Sequence, residues 1–274
     1  MIELFEQDIR TNDRQSSKGN QLKWMNNNKW YKADFTGYEG LVEYVVSRLL
    51  SFSNLNVNEY VKYNPIEIKY KNKIFNGVYS YSFLNDDWQI ITLERLFKNM
   101  YGKSLHQNLW NIHDASERLK YLVNNVVELT GLKDFGKYMN KLLTIDCMFL
   151  NEDRHTHNLA VLMDKNGNFD YCPIFDNGEC LLADTTMDYP LGEDIYKLID
   201  GVKSKTISLN FEEQMEVSEN LYGMNLKFTF TKKDIREILA LDDNVNESCI
   251  YSLEIRERVE KIIYEQMRKY PYLF

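Results

Sequence analysis

The chain has 274 residues, 44% of them hydrophobic and 27% charged, with a formal net charge of −8. That much apolar material can fill one large domain or two lobes, and an acidic balance without a basic stripe argues against direct binding to nucleic acid. No apolar run nears the roughly 18 residues of a membrane span, the opening MIELFEQDIR lacks the basic and apolar regions of a secretory signal, and the four cysteines form no CxxC pair or zinc-like cluster.

In chain order, the first candidate feature is the polar stretch RQSSKGNQ, which holds Ser16, Ser17 and Gly19. Small residues let backbone N–H groups approach an anion, but there is no Walker pattern G-x-x-x-x-G-K, and such a stretch is often an ordinary terminal segment. Residues 20 to 93 are rich in aromatic and β-branched runs of period two: GNQLKW, KWYKAD, IEIKYK, IFNGVYSYSF and WQIITL. They predict a mostly antiparallel sheet. One helix interrupts it, YEGLVEYVVSRLLSF, with Leu41, Val45 and Leu49 at helical spacing.

From residue 104 onward helices dominate. In RLKYLVNNVVELTG, Leu119, Leu122, Val123, Val126 and Val127 form an apolar stripe and Gly131 supplies a stop. The next helix, DFGKYMNKLLTIDCMF, carries Asp146 on the face of Phe135, Met139, Leu142 and Phe149. A carboxylate on an apolar face must be hydrogen-bonded, here by the backbone of the loop that follows or by His155, unless the helix end frays into water. The predicted class is α+β, with a β-rich N-terminal lobe over 1–93 and a mainly helical C-terminal lobe over 94–274.

The chemistry concentrates in FLNEDRHTHNLAVLMDKNGNFDYCPIFDNGECL, which begins at Phe149. Asp153 and Asn158 stand five residues apart, the spacing of the general base and a metal ligand in the D-x-x-x-x-N loop of protein kinases. AVLMDKNGNFDYCPIF then reads as two strands around an Asp-Lys-Asn-Gly turn, because Asn-Gly accepts positive φ; the hairpin leads to Asp176. Any one of these residues is more often a turn cap. Three in this order fit phosphoryl transfer, which needs a carboxylate at the acceptor hydroxyl and oxygen ligands for Mg²⁺.

NEDRHTHN followed by PIFDNG resembles the catalytic loop and metal-binding segment of the HipA-like serine/threonine kinases, including the compact cell-translocating kinases. DRHxxN occurs in phosphatidylinositol kinases as well. The resemblance implies a two-lobed protein-kinase-like fold, ATP and Mg²⁺ as cofactors, Asp153 as base, Asn158 and Asp176 as metal ligands, and His155 as an organiser of the loop. In the N-terminal lobe it places a phosphate-covering loop at Ser17 and Gly19 and a lobe-connecting hinge near Leu93 and Glu94, whose backbone would read adenine. It also implies that a serine there, Ser16 or Ser17, is a target of autophosphorylation. KSKTISLNFEEQ is similar to a further segment of these kinases.

Kinases hold phosphates with a strand lysine positioned by a helix glutamate. Lys32 in KWYKAD with Glu43 on the following helix fits this best; Lys29 sits in the NNNK turn, and Glu39 stands where a helix dipole favours an acid. Only some dozen residues precede the phosphate loop, so the larger N-terminal subdomain of full-length toxin kinases is expected to be missing. A toxin role, a DNA-binding antitoxin partner and a particular protein substrate are therefore not carried over. The expectation is an ATP- and Mg²⁺-dependent serine/threonine kinase in the cytoplasm, with delivery by a dedicated secretion system leaving no mark in the sequence. The alternatives are a nucleotide-binding pseudokinase or scaffold, and a small-molecule or lipid kinase, for which there is no basic amphipathic helix to dock on a membrane.

Overall fold

The computed structural model describes residues 1–10, 21–240 and 251–274. In chain order they carry β1 (Ile2–Glu3), β2 (Lys23–Asn26), β3 (Lys29–Ala33), α1 (Glu39–Leu50), β4 (Asn64–Tyr70), β5 (Lys73–Tyr81) and β6 (Trp88–Thr92). Helices α2 (Leu93–Tyr101), α3 (Leu105–Trp110), α4 (Ala115–Thr130) and α5 (Phe135–Phe149) follow, then β7 (Ala160–Asp164) and β8 (Phe169–Tyr171). The order ends with α6 (Ile195–Gly201), α7 (Phe211–Tyr222), α8 (Lys232–Leu239) and α9 (Leu253–Lys269). Two compact units result. The first gathers Met1–Phe83, Phe175–Gly201 and Phe228–Phe274, and the second Leu84–Ile174 and Val202–Lys227.

The sheet of the first unit runs β1-β4-β5-β3-β2, with β1 parallel to β4 and the other pairs antiparallel. Period-two alternation gives it two faces. Trp24, Tyr31, Ala33, Ile68 and Leu4 share one apolar cluster, whereas Lys32 lies opposite Val78 on the other face, where Val78, Tyr63 and Tyr44 of α1 pack together. Gly77 of β5 faces Ala33, and a Cβ there would stand 2.2 Å from the Lys32 carbonyl oxygen. Only glycine lets the two strands lie this close.

Helix α1 is more enclosed than its apolar stripe suggests, since even Glu39, Glu43 and Ser47 are buried. Two carboxylates hold its start: Asp34 Oδ1 accepts the Gly40 N–H at 2.6 Å, and Glu39 accepts the N–H groups of Phe35, Thr36 and Gly37. Acids at this end also complement the helix dipole.

The run WQIITL leaves the N-terminal sheet. As β6 it pairs antiparallel with β7, setting Ile91 opposite Val161 and Thr92 opposite Ala160, and the second sheet is ordered β6-β7-β8. Buried Ile91 and Val161 give each other an apolar cross-strand partner, and the polar Asn85, Asp86 and Asp87 separate β6 from β5. In the β7–β8 turn only Gly167 takes positive φ, at 84°. Asn166 instead donates its N–H, as does Asn168, to the Asp164 carboxylate at 2.8 Å.

Caps delimit the helices of the second unit. Thr92 and Asp114 accept N–H groups at the starts of α2 and α4, and Gly102 and Gly131 end these helices in the left-handed region. Helix α5 packs on α4 and α7. It ends at Leu150, a leucine at φ 57°, which turns the chain into the loop holding Asp153. Among the described residues no helix is long and apolar enough to cross a membrane.

Candidate active site

Strand β3, α1 and the segment after β8 converge within the first unit on one ammonium group. Lys32 Nζ lies 2.5 Å from Glu43 Oε1 and 2.6 Å from Asp176 Oδ1, and 5.1 Å from the centre of the Tyr63 ring. The second Glu43 oxygen accepts the Asn177 N–H at 3.0 Å. Burial works to lower the lysine pKa, but Asp176 and Glu43 outweigh it and hold the group well above its usual value. Asp176 itself sits at φ 60°, in the left-handed region that non-glycine residues seldom occupy. Lys29 lies elsewhere, over the rings of Tyr79 and Tyr81, and Glu39 is committed to the start of α1.

The second unit holds Asp153, His155 and Asn158 in one loop. Asn158 Nδ2 donates to the Asp153 carbonyl at 2.9 Å and to its Oδ2 at 3.1 Å. With its nitrogen so engaged, the amide is left with its oxygen as the acceptor atom. His155 Nε2 is 3.6 Å from Asp153 Oδ1, while its Nδ1 accepts the His157 N–H at 3.2 Å. A ring that accepts at Nδ1 is neutral and carries its proton on Nε2, facing Asp153. Burial accordingly lowers the His155 pKa, against the opposing pull of Asp153.

Beneath this loop lies a buried ion pair. Asp146 is fully enclosed, which excludes a frayed helix end; its partner is the Arg154 side chain and neither loop backbone nor His155, with Arg154 Nε 3.2 Å from both carboxylate oxygens. Asn151 Nδ2 donates to Asp146 at 3.0 Å, and Asn151 Oδ1 accepts the Asp153 N–H at 3.1 Å. Burial raises the Asp146 pKa to about 6 in spite of Arg154 and Asn151. Thr206, within KSKTISL, donates its hydroxyl to the Arg154 carbonyl at 2.6 Å. Arg154, Asn151 and Thr206 were not singled out from sequence. The need of Asp146 for a partner was the available signal, and the arginine inside D-R-H is the cation that meets it.

The hinge assignment of Leu93 and Glu94 is corrected. Both residues open helix α2, where the Leu93 N–H donates to Leu159 O at 2.8 Å and the Glu94 N–H to Thr156 O at 3.2 Å, so neither can face an adenine edge. The Glu94 side chain supports the loop instead, accepting the Thr156 hydroxyl and the His106 N–H. Burial opposes its ionisation, but bonds from Ser104, His106 and Thr156 hold its pKa below the usual value. Ser16, Ser17 and Gly19 lie outside the described residues.

Asp176 and Asn158 offer hard oxygen donors, the kind Mg²⁺ takes. No group of three or more His, Cys, Asp or Glu side chains able to hold a metal occurs among the described residues.

No protein-family model and no curated protein sequence matches the chain. Its structure does have counterparts. A Helicobacter pylori proinflammatory kinase, CtkA, matches over 98% of this chain and 94% of its own, with a TM-score of 0.58 and 18% identity. HipA in a Shewanella oneidensis toxin–antitoxin complex with HipB and operator DNA matches at TM-score 0.49 and 12% identity, over 88% of this chain and 58% of its own. In fold, then, the chain is kinase-like: α+β and two-lobed, with a β-rich N-terminal part and a mainly helical C-terminal one. It is the HipA-like variety of that fold which NEDRHTHN and PIFDNG resemble.

Proposed function

We propose that the chain is an ATP- and Mg²⁺-dependent serine/threonine protein kinase of HipA-like type. The observation that carries this is the buried Lys32, held at 2.5 Å by Glu43 of α1 and at 2.6 Å by Asp176. Burying a lysine against two carboxylates brings little net stability, so a structural role alone gives poor reason for it; a phosphate-holding role does. Asp153 would accept the proton of the substrate hydroxyl, its carboxylate oriented by Asn158, with the proton-bearing His155 nitrogen 3.6 Å from its other oxygen. Asn158 and Asp176 would hold Mg²⁺, which supplies charge neutralisation for the phosphates. Lys32 would then exchange Asp176 for phosphate oxygens.

For adenine, the open edge of β6 replaces Leu93 and Glu94. The N–H groups of Lys165 and Leu93 bond across the β6–β7 ladder to Asp87 O and Leu159 O. By strand alternation the backbone of Ile90 then faces away from β7, with its N–H and C=O aimed from the edge of the sheet. The experiment is incubation of the purified chain with labelled ATP and Mg²⁺, followed by mapping of phosphorylated residues. Label on serine or threonine, lost in Asp153→Asn, supports the proposal; ATP bound without transfer to any protein overturns it in favour of a pseudokinase.

A further inference from the structure

Within the first unit, the segment that follows Asp176 takes an unusual path. Leu181 and Leu182 are both buried and both left-handed, at φ 53° and 57°. Consecutive leucines in this region persist only where surrounding contacts over-determine them. One side chain supplies such contacts: the Tyr38 hydroxyl, at the entry to α1, lies 2.8 Å from Leu181 O and 3.0 Å from Leu182 O and donates to them. The same hydroxyl accepts Arg258 Nε at 3.1 Å.

Arg258 comes from α9, far along the chain, and it is buried. Its remaining nitrogens reach the Pro190 carbonyl at 3.2 Å and the Tyr189 carbonyl at 2.9 Å. One guanidinium thus ties both ends of the 181–190 segment to the residue that precedes α1. The backbone completes the seam: the Tyr38 N–H donates to Ala183 O at 3.2 Å, and Thr186 donates its N–H and hydroxyl to Thr36 O at 3.0 and 2.6 Å. Gly37 is required here, because a Cβ on it would stand 1.8 Å from Ala183 O.

On either side of this seam lie the two carboxylates that grip Lys32. Glu43 is one helical turn beyond Tyr38 and Glu39, and Asp176 is five residues before Leu181. We propose that Arg258 and Tyr38 are positioning residues: a latch from α9 that locks the 181–190 segment to the start of α1, and so keeps Glu43 and Asp176 on Lys32. This deepens the kinase proposal and rests on it for its link to turnover, although the latch itself is a property of the ligand-free protein.

Tyr38→Phe keeps the ring and deletes the hydroxyl; Arg258→Met deletes the guanidinium, and Arg258→Lys restores only a point charge. Each is compared with wild type in the absence of nucleotide, by amide hydrogen exchange and by the rate at which an amine-acylating reagent modifies Lys32. Loss of the hydroxyl removes the one donor that Leu181 O and Leu182 O share and the acceptor of Arg258 Nε, so exchange at 177–183 and acylation of Lys32 are expected to rise on the order of tenfold. Strands β2 to β5 should keep their exchange rates. With ATP and Mg²⁺, kcat should fall in the order Arg258→Met, then Arg258→Lys, with Lys recovering part of the loss.

Unchanged exchange and acylation in Tyr38→Phe overturn the latch, and so does an equal rise throughout the first unit, which would mean general loosening. If Arg258→Met does not fold, Tyr38→Phe decides alone. Wild-type protein without phosphoryl transfer would count against the kinase proposal only, since the two ligand-free readouts need no turnover.

Discussion

The regions around Lys32 and around Asp153 present charge in opposite ways. At Lys32 an ammonium is gripped by two carboxylates, Glu43 eleven residues along the chain and Asp176 144 residues along it, so the group that would receive phosphate is already occupied by acids. At Asp153 the carboxylate is oriented by an amide and an imidazole, and the charge pairing lies one layer below, between Asp146 and Arg154. The first arrangement is one that a ligand must rearrange; the second is a fixed bed under a preset side chain. Preorganisation of this kind is what a general base requires, whereas an exchangeable partner suits a group that must take up and release phosphate.

The contrast breaks most sharply at Asp153. Asp153→Asn should leave folding and ATP affinity close to wild type and lower turnover by a factor on the order of 10² to 10⁴, the contribution of a positioned base. Steady-state kinetics with calorimetric ATP binding checks this, and unchanged turnover removes Asp153 from the role. Next comes the bed itself. Arg154→Met strands the Asp146 carboxylate in a dry interior and should cost about 3–5 kcal/mol in chemical denaturation, while adding Asp146→Leu should recover much of the loss. A cost under about 1 kcal/mol in the single variant would show that the pair bears no load.

At Lys32 the expected effects are smaller and depend on the metal. A chelator should weaken ATP binding to wild type on the order of tenfold, about 1.4 kcal/mol, because Asp176 then has no competing partner and stays on the lysine. Asp176→Ala should bind ATP with much less dependence on Mg²⁺; equal binding with and without metal in wild type contradicts the exchange.

The smallest effect tests the frame around Lys32. Asp34, at the start of α1, has its pKa raised to about 7, by burial first and then by Glu39, with Gly40 and Tyr251 opposing. The folded state therefore keeps a proton that the unfolded chain loses near pH 4, so stability falls as pH rises from about 4 to 7. Asp146 adds a slope of the same sign, ending near pH 6. Asp34→Asn, which can still accept the Gly40 N–H, should be more stable than wild type by about 1 kcal/mol at pH 8 and no more stable at pH 4. Melting curves at the two pH values decide it.

Local spacing made part of this legible. The five-residue step from Asp153 to Asn158 is closed by hydrogen bonds within one loop, so short-range pattern brings it out; Lys32 and Glu43, eleven residues apart, stand out only once the DRHxxN motif points to a kinase. Long-range partners left no such trace. Glu94 meets Thr156 and Arg258 meets Tyr38 only after folding, and a buried arginine reads in sequence like any solvated one. The fate of β6 was hidden for a related reason: an apolar alternating strand states that it will pair, but not with which partner.

Gly77 carries a consequence for anyone screening variants of this protein. Its missing side chain sets the distance between β5 and the carbonyl of Lys32, so alanine there must push outward the backbone on which the lysine is mounted. In a saturation library scored for phosphorylation, position 77 should be as intolerant as a catalytic position despite bearing no functional group. Its variants should separate from true catalytic losses by losing thermal stability as well.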